Sequence, residues 1–177
     1  MKEISDQELV ARVVATKNTV AFETLVKRHQ LLIRNWLRQL SSDYSNADDI
    51  AQETFIQAWK KIHTFRGEGE FKSWLIKIAY TNFLQSKRKE KSTGNLLNEI
   101  EAYGTKNESY CINQELPDLH KLLSILSLHE KACMVLCYSH GYSHDEISNI
   151  IKLPLGTVKS HIRRSIIKIQ TAFNIEG

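Results

Sequence analysis

The stretch 143–168, SHDEISNIIKLPLGTVKSHIRRSIIK, reads as two helices on either side of a very short break. Ser143 with Glu146 forms a capping box: the serine oxygen accepts an amide of the first turn while the glutamate reaches back. Ile147, Ile150 and Ile151 supply the apolar stripe of the first helix. Lys152, Leu153 and Pro154 close it, and proline suits the first turn of the next helix because its missing N–H would have no partner there. Val158, Ile162, Ile166, Ile169 and Phe173 then recur at spacings of four and three, which makes one buried stripe. Lys159, Ser160, Arg163, Arg164 and Lys168 fall on the remaining surface. A short helix, a tight turn and a second helix with a basic, hydroxyl-bearing outer face make a helix-turn-helix.

The same pattern fits an ordinary helical hairpin with a solvated basic face. Cap, turn and charge placement together favour nucleic acid. The amides around Gly156 and Thr157 would hold a phosphate at the positive end of the helix dipole. Lys159, Ser160, Arg163 and Arg164 would then lie along the major groove, where cationic side chains pair with guanine acceptors.

A chain of 177 residues accommodates one domain or two small ones. Two prolines, seven glycines and little strict alternation argue against an all-β fold. A net charge of +4 mildly favours an anionic partner. There is no long apolar segment, so the expectation is a soluble cytoplasmic protein without membrane insertion.

Cys111, Cys133 and Cys137 cannot all pair, which fits a reducing compartment. Cys133 and Cys137 lie one helical turn apart, with His129 a turn earlier, so a zinc or redox site is conceivable. No fourth ligand has matching spacing, and both cysteines suit the inner face of a helix carrying Met134 and Leu136. No metal and no cofactor are expected.

Ser5 and Glu8 cap a first helix bearing Leu9, Val10, Val13 and Val14, and a second helix over 20–40 buries Trp36. In residues 46–62, NADDIAQETFIQAWKKI, the side chains of Ile50, Phe55, Ala58, Trp59 and Ile62 face inward. Asp48, Asp49, Gln52 and Glu53 form an acidic, amide-bearing face on the other side. Gly67 and Gly69 then mark a loop, and a helical stripe restarts at Phe71, Trp74, Leu75 and Ile78. Lys72, Lys77, Lys87, Arg88, Lys89 and Lys91 decorate that helix. Aromatic groups beside a basic track suit single-stranded nucleic acid, although Trp74 also reads as core. Periodicity fades over 92–116, an acidic linker with a short helical tendency at 96–103. The fold expected is all-α: an N-terminal domain over 1–91, a flexible linker over 92–116, and a C-terminal domain over 117–177 containing the helix-turn-helix. In that last domain Ser127 and Glu130 form a third capping box, and Gly141 offers a left-handed exit.

Three motifs carry a resemblance: DDIAQETFIQAW (48–59), FRGEGEFKSWLIKIA (65–79), and the region from LSLHEKACMVLCYSHGYSHDEI (126–147) to LPLGTVKSHIRR (153–164). In this order they resemble the extracytoplasmic-function class of bacterial RNA polymerase sigma factors. The resemblance spans nearly the whole chain except the linker. It implies that Asp49, Gln52 and Glu53 dock on the β′ clamp helices of core RNA polymerase, with further contact to the β subunit. It implies that residues 65–89 recognise and open the minus-ten element of promoter DNA through Phe65, Arg66, Lys72, Lys77, Thr81, Asn82, Gln85, Lys87, Arg88 and Lys89, the loop after Phe65 capturing an unstacked base. It assigns the minus-thirty-five element to Gly156, Thr157, Lys159, Ser160, Arg163, Arg164 and Lys168. An anti-sigma factor is a further implied partner.

The chain departs from the family at Thr81, where asparagine is frequent, and at Gln85, where aspartate is. Ser127 replaces a common proline, and Lys131 and His161 stand where arginine is frequent. His161 would make a phosphate contact pH-dependent. No nucleophile–base pair or phosphate-cradling glycine loop stands out, so no enzymatic activity is expected. The competing reading, a stand-alone helix-turn-helix regulator, leaves the acidic face and the aromatic–basic loop without a role.

Overall fold

The computed structural model describes residues 4–41, 43–97 and 119–173, and among these the regular structure is entirely helical. The N-terminal domain comprises α1 (Asp6–Thr16), α2 (Thr19–Leu40), α3 (Tyr44–Lys61) with a tight final turn at Ile62–Thr64, and α4 (Phe71–Leu97). The C-terminal domain comprises α5 (Leu119–Ser124), α6 (Leu128–Met134), α7 (His144–Ile151) and α8 (Leu155–Phe173).

Local chemistry sets where these helices begin. Ser5 and Glu8 close the expected capping box, with the Ser5 amide donating to the Glu8 carboxylate at 2.9 Å. Ser143 and Glu146 repeat it at 2.8 Å, and the Ser127 amide reaches Glu130 at 2.9 Å. Asn18 caps α2 through the Ala21 amide, and Asp43 caps α3 through the Asn46 amide. The segment after α6 widens into a π-type turn over Val135–Ser139, and Gly141 leaves it at φ +71°.

Packing follows the predicted stripes. Leu25, Ile33, Trp36 and Leu37 of α2 are wholly buried with Leu75, Ile76 and Phe83 of α4. Burying each such side chain contributes about 1.5–3 kcal/mol, which far exceeds helix propensity as a source of order. In the C-terminal domain Leu136, Ile147 and Val158 are equally buried, so α7 is seated between the α6 segment and α8.

Two boundaries differ from expectation. Helix α4 continues to Leu97, beyond the expected linker start at residue 92, because no proline interrupts it there. The remaining linker residues, Pro117 and Cys111 lie outside the described residues, as does most of the helical tendency expected at 96–103.

The two domains touch. Tyr80 of α4 is hydrogen bonded to His129 of α6, oxygen to Nδ1, at 2.7 Å. Ser73 donates to the Tyr142 hydroxyl at 3.3 Å, and the Lys72 ammonium sits 5.4 Å from the Tyr142 ring centre.

Candidate nucleic-acid interface

Asp48 does not belong to the acidic face. Its carboxylate accepts from Arg34 Nε at 2.8 Å and from Arg38 Nε and Nη2 at 2.8 and 2.7 Å, both on α2. These bonds, those of Arg34 foremost, hold the carboxyl far below the usual carboxylate range. About 100° of helical rotation separates consecutive residues, so Asp49 points elsewhere. Asp49, Gln52 and Glu53 are all exposed, and Gln57 donates to Glu53 at 2.7 Å.

A groove of about 700 Å³ runs between α3 and α4. Asp49, Glu53 and Gln57 line one wall; Lys77, Thr81, Asn82, Gln85 and Lys89 line the other. The expected polymerase-facing acids and part of the expected minus-ten set therefore share one cleft. Their wall on α4 is partly committed: the Thr81 hydroxyl donates to the Lys77 carbonyl at 2.8 Å, and Asn82 reaches Thr54 of α3 at 3.5 Å. Lys87 pairs with Glu90 at 2.7 Å, and Glu90 also accepts from Asn46 at the start of α3. Arg88 and Lys89 are exposed at the same end.

The loop over 66–70 is exposed, and Gly67 and Gly69 take φ of +76° and +87°, which side chains rarely adopt. Behind it, Phe65, Phe71 and Trp74 form a three-ring cluster with centroids 5.5–5.8 Å apart. Phe71 is core, whereas Phe65 and Trp74 are half-buried. Arg66 is exposed beside them, and Lys72 is turned to Glu70 and Tyr142.

The helix-turn-helix is present with a left-handed Lys152 at the turn. Pro154 stands just ahead of α8, and its carbonyl accepts from the Thr157 amide at 2.8 Å. The Thr157 amide is consequently not available to a phosphate, contrary to the sequence expectation, because the first turn closes on Pro154. Gly156, Lys159, Ser160, Arg163 and Arg164 are exposed. Lys168 was expected on the same DNA-facing surface, but its ammonium closes on Glu130 at 2.8 and 3.0 Å. Burial would raise the Glu130 carboxyl; bonds from Lys168 and Ser127 outweigh it and bring it down to about 2.

His161 is also turned inward. Its ring stacks on His129 at 5.9 Å, and burial, Arg164 and His129 lower its pKa. His129 is thereby engaged by Tyr80 and His161 rather than by the cysteines. Burial pushes the Cys133 thiol up to about 12. Among the described residues no cluster of three or more His, Cys, Asp or Glu side chains could hold a metal.

Sequence reasoning did not find the Tyr80–His129 and Ser73–Tyr142 contacts. The one signal was chemical, since a tyrosine on a buried helix face needs a hydrogen-bond partner.

The family model for Sigma-70 region 2 matches residues 25–93, and that for Sigma-70 region 4 matches residues 116–169. An ECF RNA polymerase sigma-E factor of Haemophilus influenzae is 31% identical over 93% of each chain. The chain belongs to the extracytoplasmic-function sigma factors. The sigma-E factor of Escherichia coli is 30% identical over 93% of this sigma factor and 92% of its own length. An RNA polymerase sigma-H factor of Pseudomonas aeruginosa is 28% identical over 90% and 89%. Two solved structures share the fold of this sigma factor. RpoE of Bartonella quintana, in complex with the anti-sigma factor NepR, gives a TM-score of 0.74 at 23% identity, covering 88% of this chain and 98% of its own. CnrH, in complex with the cytosolic domain of CnrY, gives 0.70 at 22% identity, covering 97% and 99%. As a sigma factor, the chain directs RNA polymerase to promoters.

Proposed function

We propose that the two domains divide promoter engagement. The exposed Asp49, Gln52 and Glu53 dock on the β′ clamp helices of core polymerase. Helix α4, with Phe65, Arg66 and the basic residues along it, takes the minus-ten strand as it unpairs. The outer face of α8, carrying Lys159, Ser160, Arg163 and Arg164, reads the minus-thirty-five duplex. The observation that supports this reading is the α3–α4 groove, where Asp49 and Glu53 stand across from Lys77 and Lys89, with Lys61 at the acids' own side. Each contact alone is weak, and joining them through polymerase makes the second effectively intramolecular.

Lys168 serves the C-terminal core through Glu130 and touches DNA only if that pair opens. An anti-sigma factor regulates the chain, in keeping with the complex of RpoE with the anti-sigma factor NepR. The protein works in the cytoplasm and has no catalytic activity of its own; no helix among the described residues is long and apolar enough to cross a membrane.

Run-off transcription with purified core enzyme over genomic fragments tests the reading. Initiation at discrete sites that disappears with Asp49→Lys supports it. Initiation that is indifferent to Asp49→Lys and Glu53→Lys removes the docking assignment.

A further inference from the structure

Helix α1 lies outside the matched Sigma-70 region 2 segment, which begins at residue 25, yet its first residue is wired into the domain. Asp6 Oδ2 stands 2.7 Å from Nε2 of His29, a side chain on α2 that is only 7% exposed. The other carboxylate oxygen takes Arg28, whose second terminal nitrogen donates to the Ile4 carbonyl at 3.0 Å. A buried imidazole can flip about its final torsion, and a carboxylate on one nitrogen fixes which way it faces.

That orientation has a recipient. The His29 ring packs on Phe71 at 5.5 Å, and Phe71 meets Phe65 edge-on at 5.6 Å and Trp74 at 5.5 Å. Phe71 is also the first residue of α4, directly after the exposed loop 66–70. A cavity of about 480 Å³ separates the start of α1 from Gly69, Glu70 and Lys72. Helix α1 therefore meets the cluster at two places: at Phe71 through His29, and ahead of Phe65 where it packs on the Ile62–Thr64 turn.

We infer that Asp6 is a positioning residue for base capture: through His29 it sets the Phe71 platform against which Phe65 presents its face to an unstacked base. This rests on the proposed role of the Phe65 loop. It differs from a simple stabilising role because the effect passes to one ligand contact and not to the others.

The test uses the full chain bound to core polymerase. The probe is the single strand of about twelve nucleotides that the wild-type complex selects from a randomised pool. Asp6→Ala is expected to weaken binding of that strand about five- to tenfold, a fraction of one stacking contact. Affinity for core enzyme and for the upstream duplex stays within about twofold, and in a Phe65→Ala background Asp6→Ala adds no further loss. Asp6→Asn, which keeps an oxygen acceptor for His29, recovers most of the binding and carries the comparison if the alanine variant does not fold. Equal losses on core, duplex and strand, or additivity with Phe65→Ala, or an unchanged strand affinity would overturn the inference. If Phe65→Ala itself leaves strand binding intact, the capture reading fails, which is a separate outcome.

Discussion

Asp48 and Asp49 are bonded neighbours with opposite assignments: Asp48 is clasped by Arg34 and Arg38 of α2, while Asp49 is exposed and lines the α3–α4 groove. The first carboxylate belongs to the fold and the second to the surface.

Substituting the pair separates these roles. Asp49→Lys should lower affinity for core polymerase with an unchanged thermal midpoint. Asp48→Ala should leave two arginines unpaired and cost about 1 kcal/mol of stability, as partly exposed ion pairs do. Because the folded pKa of Asp48 is depressed, its stabilisation is complete above about pH 4 and is lost as pH falls toward the folded value. Acid titration of wild type against Asp48→Ala, followed by circular dichroism, reads that difference.

Glu130 and Lys168 predict a second acid-dependent term. Glu130 is 3% exposed, and its carboxyl is lowered to about 2, so the pair stabilises above about pH 4.5 and weakens between there and about pH 2. Lys168→Ala leaves a buried carboxylate without its cation. Lys168 is itself nearly half exposed, so the expected loss is about 1 kcal/mol, as for a partly exposed pair, with the acid midpoint moved upward. Upstream DNA affinity of the folded variant should change little.

Arg164 and Lys159 are both exposed on α8. Arg164→Ala should cost about 1–3 kcal/mol and relax preference at one upstream base pair. Lys159→Ala, at another residue proposed to read the same duplex, should likewise weaken specific more than random DNA. Equal losses on specific and random duplex would make Arg164 a phosphate contact.

Cys133 is wholly buried and its thiol is raised to about 12, while Cys137 is half-buried. A thiol reagent should label Cys137 well before Cys133 in the native chain, and Cys133 only as the domain unfolds. Promoter activity should survive Cys137→Ser.

Removal of the Tyr80 hydroxyl should loosen the contact between domains. Tyr80→Phe forfeits about 0.5–1.5 kcal/mol at that contact, and small-angle scattering should record a larger radius of gyration. An unchanged radius would assign the contact to apolar packing alone.

Much of the helical plan was legible from local chemistry. The Ser–x–x–Glu boxes at residues 5, 127 and 143 each set a helix start, because cap and partner lie within one turn. The stripe of α8 followed from periodicity only in its first half: Val158 and Ile162 are buried, whereas Ile166, Ile169 and Phe173 stay partly exposed. Asp48 was misplaced because a pattern cannot rank two adjacent acids; α2 decides it, through arginines ten and fourteen residues away. Lys168 was misplaced for the same reason, since Glu130 lies 38 residues upstream. The Thr157 amide was misjudged because the first turn of α8 closes earlier than the proline rule alone suggests.

The phenol–imidazole bond between Tyr80 and His129 sets a limit on reach. Tyr80 belongs to the helix proposed to take the minus-ten strand, and His129 to the helix that Lys168 of α8 grips through Glu130, so the bond ties the two proposed DNA faces together. Any arrangement that sets those faces farther apart must first break it.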